Sequence, residues 1–136
     1  MLKIAKSVEY SVLALRYIAE NESNGNISVK EISERENIPF DLLAKLMQKL
    51  VKHNIIVSKQ GKQGGYSLNV SPAVLTLNDI IIALEQQIQL TDCMVDAPTK
   101  EDCARYKECC LRSPLSKVQD KIIDLFKETT LIEIIN

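Results

Sequence analysis

With 136 residues, 46% hydrophobic and 26% charged, the chain is sized for one domain with a substantial core, or a small domain carrying a dimerisation arm. That balance excludes wholesale disorder, and a formal net charge of −1 argues against a general polyanion binder. Charge is nevertheless uneven: Lys45, Lys49, Lys52, Lys59 and Lys62 occur with no acidic residue between them, whereas the segment after Asp79 is acid-rich. Such asymmetry suits a local basic face that meets phosphate.

Lys6 to Asn21 spaces Val8, Val12, Leu15 and Ile18 or Ala19 at helical intervals, which predicts a first helix. No small-residue cleavage site follows it, and Glu9, Tyr10, Ser11 and Arg16 interrupt its apolar run, so it does not read as a signal peptide. Nothing approaches a membrane span, and the expectation is a cytoplasmic chain with reduced thiols. Asn21–Asn26, with Gly25, ends the helix. Ser28-Val-Lys-Glu31 reads as a capping box opening a second helix to about Glu36, and Asn37-Ile-Pro39 forces a turn.

A third helix is predicted from Phe40 to about His53, burying Leu42, Leu43, Leu46, Leu50 and Val51. Asp41, Ala44, Lys45, Gln48, Lys49 and Lys52 are left facing outwards. Two short helices joined by a tight turn, the second with a basic outer face, form a helix-turn-helix pattern. Ile55–Lys59 is β-branched, Gln60–Gly65 is a glycine-rich turn, and Tyr66–Leu68 returns as a partner strand. A hairpin in this place is a wing. The segments predict a DNA face built from Ser28, Phe40, Asp41, Ala44, Lys45, Gln48, Lys49, Lys59, Gln60, Lys62, Gln63 and Gly64, with lysines on phosphates and the shorter polar groups near bases. The glycines do not form a nucleotide loop, because the Gly-Lys-Ser/Thr ending is missing.

Ser71-Pro72 starts a linker, and a short helix is expected over Thr76–Gln87 with Leu77, Ile80, Ile81 and Leu84 apolar. All four cysteines then fall within one polar segment: Cys93, Cys103, Cys109 and Cys110. Pro114 suits a helix start, and Leu115, Val118, Ile122, Leu125 and Phe126 form a stripe on a last long helix ending near Glu128. This is more apolar surface than a terminal helix hides within a small domain, so a homodimer is expected. The organisation predicted is a mainly α chain with a small β-hairpin: a winged helix-turn-helix domain over 1–70, a linker over 71–90, a cysteine loop over 91–113 and a dimerisation segment over 114–136.

Three chemistries suit the cysteines. Soft thiolates gathered in one loop are ligands for an iron–sulfur cluster. Zinc favours Cys-x₂₋₄-Cys pairs, whereas the intervals here are nine, five and zero residues. Metal-free redox sensing is the third, since Lys100, Arg105, Lys107 and Arg112 would favour thiolates. No Ser/His/Asp set and no nucleotide fingerprint supports an enzyme, a small redox enzyme being the nearest alternative. The sole histidine, His53, reads as a phosphate contact or helix cap.

Four segments together resemble the winged-helix regulators of the IscR/NsrR/CymR kind: Met1-Leu-Lys-Ile-Ala-Lys-Ser-Val-Glu9-Tyr10, Ile32-Ser-Glu-Arg-Glu-Asn-Ile38, Gly61-Lys-Gln-Gly-Gly-Tyr66 and Thr130-Leu131-Ile-Glu-Ile134. The resemblance covers essentially the full length. It implies a dimeric transcriptional regulator, and its cluster-binding branch implies a 2Fe-2S or 4Fe-4S cluster held by Cys93, Cys103 and Cys109. Cys110 is an extra cysteine and an alternative to Cys109. The loop from Cys93 to Cys103 is longer than in the family. Arg112 stands where some members carry a histidine, and it cannot ligate a metal because it stays protonated. Other members take an acidic residue from the partner's first helix, and Glu9 occupies that position, so Glu9 of the partner subunit is the implied fourth ligand. Ala44 replaces a longer polar side chain of the family, so the operator sequence does not transfer.

Overall fold

The computed structural model describes residues 2–136; Met1, which opens the N-terminal motif, lies outside them. Helix α1 spans Lys6–Asn21 and buries Val8, Ser11, Ala14, Leu15 and Ile18. A single 3₁₀ turn, Glu22–Asn24, follows, and Gly25 leaves it at φ 93°. Helix α2, Val29–Glu36, starts where Ser28 Oγ accepts a hydrogen bond from the Glu31 amide at 3.1 Å. Only this half of the expected capping box forms. The Glu31 carboxylate turns towards Tyr17, whose phenol is raised above its ordinary pKa by burial first and by Glu31 second. Asn37 ends α2 in the left-handed conformation at φ 54°, and Ile38 N–H donates to Ser33 O at 3.0 Å. Asparagine tolerates that geometry better than most residues, and Pro39 prevents the helix from continuing.

Helix α3, Phe40–Lys52, is rich in Leu, Lys, Gln and Met, all good helix formers. It buries Leu43, Leu46, Met47 and Leu50. Leu42, expected inside, is 39% exposed, and Met47 takes its place in the core. Leu42 and Met47 fall on opposite flanks of the stripe set by Leu43, Leu46 and Leu50, and the core lies on the Met47 side. His53 caps the helix, its amide and Nδ1 both meeting Lys49 O.

Strands β1, Ile56–Lys59, and β2, Gly65–Leu68, pair antiparallel with Ile56 opposite Leu68 and Lys59 opposite Gly65. The loop before α2 adds a single bridge to β2, as Ile27 and Tyr66 exchange backbone hydrogen bonds of 3.0 and 2.7 Å. The wing is thereby stitched to the start of α2 as well as to the end of α3.

Helix α4, Leu77–Ala83, is opened by a complete capping box between Thr76 and Asp79. It stops four residues short of the expected Gln87, because Leu84 leaves the helix and Glu85 turns left-handed at φ 58°. Residues 86–111 then run without helix or strand into α5, Arg112–Glu128. A clasp closes the fold. Leu77 N–H donates to Thr129 O at 2.9 Å and Leu131 N–H to Leu75 O at 2.7 Å, and a second capping box between Thr130 and Glu133 opens α6, Leu131–Ile135.

The core joins α1, α2, α3, α4 and the fully buried Leu131 around Leu15, Ile18, Ile32, Leu43, Leu50, Ile56 and Ile80. Each such leucine or isoleucine contributes roughly 1.5–3 kcal/mol by leaving water. Helix α5 lies at its edge: Phe126 packs against it, but no α5 residue is fully buried, and Val118 and Leu125 are 45% and 57% exposed. Among the described residues no helix is long and apolar enough to cross a membrane.

Candidate nucleic-acid interface and cysteine loop

The outward side of α3 carries Asp41, Lys45, Gln48 and Lys52, all exposed, with Phe40 51% exposed at its N-terminal end and Ala44 half-buried. Asp41 in the first turn and Lys49 and Lys52 in the last complement the helix dipole. Lys49 is the half-buried lysine of the set. Its Nζ donates to Leu84 O at 3.4 Å and lies 3.7 Å from Glu85 Oε2, while Lys52 Nζ lies 3.6 Å from Glu85 Oε1.

The wing brings Lys59, Gln60, Lys62 and Gln63 to the tip of the hairpin, all exposed. Gly64 N–H closes the turn on Gly61 O at 3.0 Å, and Asn26 Nδ2 donates to Gln63 O at 3.2 Å. A polar cleft results, lined by Asn26 and Ser28 on one side and Lys59, Lys62 and Gly64 on the other. Sequence reasoning missed Asn26, whose role depends on a contact across 37 positions that no local pattern announces.

The cysteine loop is a chain of turns. Leu90 N–H donates to Gln119 Oε1 at 2.9 Å, tying the base of the loop to α5. Cys93 is buried, with Sγ 3.3 Å from Thr91 Oγ1; Cys103 and Cys109 are half-buried and Cys110 is exposed. A turn closed by Asp102, which accepts from Thr99 N–H at 2.7 Å and Thr99 Oγ1 at 3.0 Å, precedes Cys103, and Arg112 N–H reaches Cys109 O at 3.4 Å. All four thiols are free. Among the described residues, no three Cys, His, Asp or Glu side chains come together as a metal-binding group. Glu9 lies on the first turn of α1, half-exposed and 2.8 Å from Lys6 Nζ; that hydrogen bond holds the Lys6 ammonium above its ordinary pKa.

A three-helix head, a two-stranded wing stitched to it and a separate long helix recur among known proteins. The family model described as Rrf2, iron-dependent transcriptional regulator, matches residues 4–136. The chain belongs to the Rrf2 family. It is 30% identical over 135 residues to a Haemophilus influenzae protein named "Putative HTH-type transcriptional regulator", covering 99% of this chain and 87% of that one. Among solved structures, IscR of T. potens superposes with a TM-score of 0.74 at 26% identity, covering 98% of this chain and 85% of that one. The oxidised form of Staphylococcus aureus CymR gives 0.73 at 26% identity, with 99% and 97% covered. The winged-helix fold expected from the sequence is therefore the fold observed, and this Rrf2 chain is a DNA-binding transcriptional regulator in a family of regulators, not enzymes.

Proposed function

We propose that this Rrf2 protein is a dimeric, sequence-specific regulator whose affinity for DNA follows the state of an iron–sulfur cluster bound by its cysteine loop. The observation that carries the reading is the placement of every cysteine of the chain in one irregular segment bridging the DNA-binding head and α5. Four free thiols in a polar loop fit a soft-metal cluster by donor chemistry.

In this reading Cys93, Cys103 and Cys109 hold the cluster as thiolates and Glu9 of the partner subunit supplies an oxygen ligand. Cys110 is the alternative to Cys109. Glu9 must give up Lys6 to ligate, a small cost because the pair is exposed. When bound, the cluster supplies a crosslink that is lost on oxidation, attack by nitric oxide or iron shortage. The loop runs from the end of α4 to the start of α5, so its ordering sets where the head sits on the dimer. DNA affinity changes only as far as one placement is favoured over the other.

Phosphate contacts fall to Lys45, Lys49, Lys59 and Lys62, and base contacts to Asp41, Ala44, Gln48, Gln60 and Gln63, with Ser28, Phe40 and Gly64 at the margins. Replacing Lys45 or Lys59 with Ala should weaken binding to every sequence and flatten the salt dependence by about one charge each. An unchanged slope in both variants would remove this face from the interface.

Anaerobic purification with iron and sulfide quantitation and visible spectroscopy tests the cluster. Expected is a brown protein that loses its visible absorption in Cys93→Ala, Cys103→Ala and Cys109→Ala and keeps it in Cys110→Ala. Loss with Cys110→Ala alone would move the ligand register by one residue. A second reading is a cluster-free thiol or zinc regulator, its thiol form supported by similarity to CymR, whose oxidised form is a solved structure. Colourless protein with stoichiometric zinc, or metal-free protein that changes DNA affinity on thiol oxidation, would establish it.

A further inference from the structure

Glu85 is the residue whose position its local sequence explains least. It adopts φ 58°, a left-handed conformation that glycine or asparagine fills at lower cost. Neither is present. Its carboxylate instead faces the last turn of α3, with Oε2 3.7 Å from Lys49 Nζ and Oε1 3.6 Å from Lys52 Nζ. Lys49 is held a second time, donating to the Leu84 carbonyl at the C-terminal end of α4. The left-handed turn aims the carboxylate: Glu85 N–H donates to Ile82 O and Gln86 N–H to Ile81 O, so the backbone on both sides of Glu85 is fixed by α4.

We infer that Glu85 is a positioning residue that competes with DNA phosphates for Lys49 and Lys52 and so lowers the protein's affinity for DNA. The inference rests on the reading of α3 as part of the DNA face. Lys52 shares the exposed side of α3 with Lys45 and Gln48, and Lys49 stands on its flank. With Glu85 engaged, two of the five lysines in the acid-free stretch share one carboxylate, which offsets one of their two charges. The contacts are long and all three side chains are at least one-third exposed, so each pair is weak and exchanges readily for a phosphate. A weak contact is what an adjustable one requires. Glu85 is also the last residue before the segment that carries the cysteines, so a change in that segment's path acts first on this contact.

The experiment compares wild-type protein with E85Q and E85G, all full-length, binding a mixed-sequence DNA duplex over a range of salt concentrations. Freed lysines should tighten binding about threefold to tenfold at low salt and steepen the salt dependence by about one charge. The gain should vanish when E85Q is combined with K49Q and K52Q. Circular dichroism melts establish that each variant is folded. Unchanged or weaker binding with an unchanged slope in folded E85Q overturns the inference, and so does a gain confined to E85G, which would trace to relief of the left-handed backbone. Lys45→Ala and Lys59→Ala run alongside. If they too leave the slope unaltered, the DNA face itself is misplaced; if they flatten it while E85Q does not steepen it, the role of Glu85 alone fails.

Discussion

Gly65 shows how much one residue decides in this fold. A Cβ there would lie 2.6 Å from Ile27 O, and the residue sits at φ 142°, so both the space and the backbone conformation require glycine. Gly65→Ala should destabilise the protein by about 2 kcal/mol or more and weaken DNA binding, because the wing must leave the Ile27 bridge to accommodate the methyl. Gly25 is the control: it has φ 93° but open space around its Cβ position. Gly25→Ala should therefore cost only the backbone term, about 1–3 kcal/mol, with DNA affinity unchanged. Chemical denaturation and a mobility shift on each variant check both statements. Glycine at this turn was legible in the sequence as a hairpin signal. The demand at Gly65 was not, because it comes from Ile27, 38 positions away, and a backbone bridge leaves no mark on side-chain pattern. Lys49 is similar: helical spacing placed it on the outer face, whereas its half-burial against Leu84 and Glu85 left no local mark.

At the scale of elements, periodicity located the long helices and the hairpin, and it misplaced what depended on neighbours. Helix α4 looked longer because Leu84 continued its apolar spacing, yet that leucine is buried as the cap beyond the helix end. The Thr-x-x-Asp and Thr-x-x-Glu spacings at Thr76 and Thr130 were available as helix-start signals. Their joining into one clasp through Thr129, Leu75 and Leu77 was not, since it depends on how α5 returns to the linker. The clasp is pH-sensitive in a defined direction. Hydrogen bonds from the Thr130 backbone amide, then from its hydroxyl, hold Glu133 below the ordinary carboxylate pKa. A depressed folded-state pKa means stability that is present above the ordinary value, about 4.3, and is lost as pH falls through the lowered one. Glu133→Gln should melt earlier than wild type near neutrality, and the gap should close as pH falls through that window. A gap that stays constant down to pH 3 would place the stabilising contact elsewhere.

At the scale of the whole molecule, the head is a closed core and α5 is not. Its stripe divides into two parts. Phe126 packs against the core, and Ile122 lines a small apolar cavity with Ile81, Ile88 and the N-terminal residues Leu2 and Ile4. Val118 and Leu125 face away, and a second apolar groove opens beside α1 between Val8, Val12, Leu13 and Ile134. An unpaired helix stripe and an unfilled groove on one chain are what a symmetric partner would cover, since a C₂ interface uses the same patch on both subunits. The division decides which substitution would isolate the proposed dimer contact. Ile122→Asp would put a charge into a cavity within the chain and lower stability as well as association. Leu125→Asp touches a side chain that is 57% exposed, so the folded head should survive. Leu125→Asp should sediment as a monomer with a nearly unchanged circular dichroism spectrum. It should keep weak, salt-sensitive binding to mixed DNA and lose tight binding to a palindromic site, which needs two recognition helices held about one helical turn apart. Wild-type protein that sediments as a monomer at micromolar concentration while binding such a site with full affinity would show that one head suffices, and α5 would then need a different occupant.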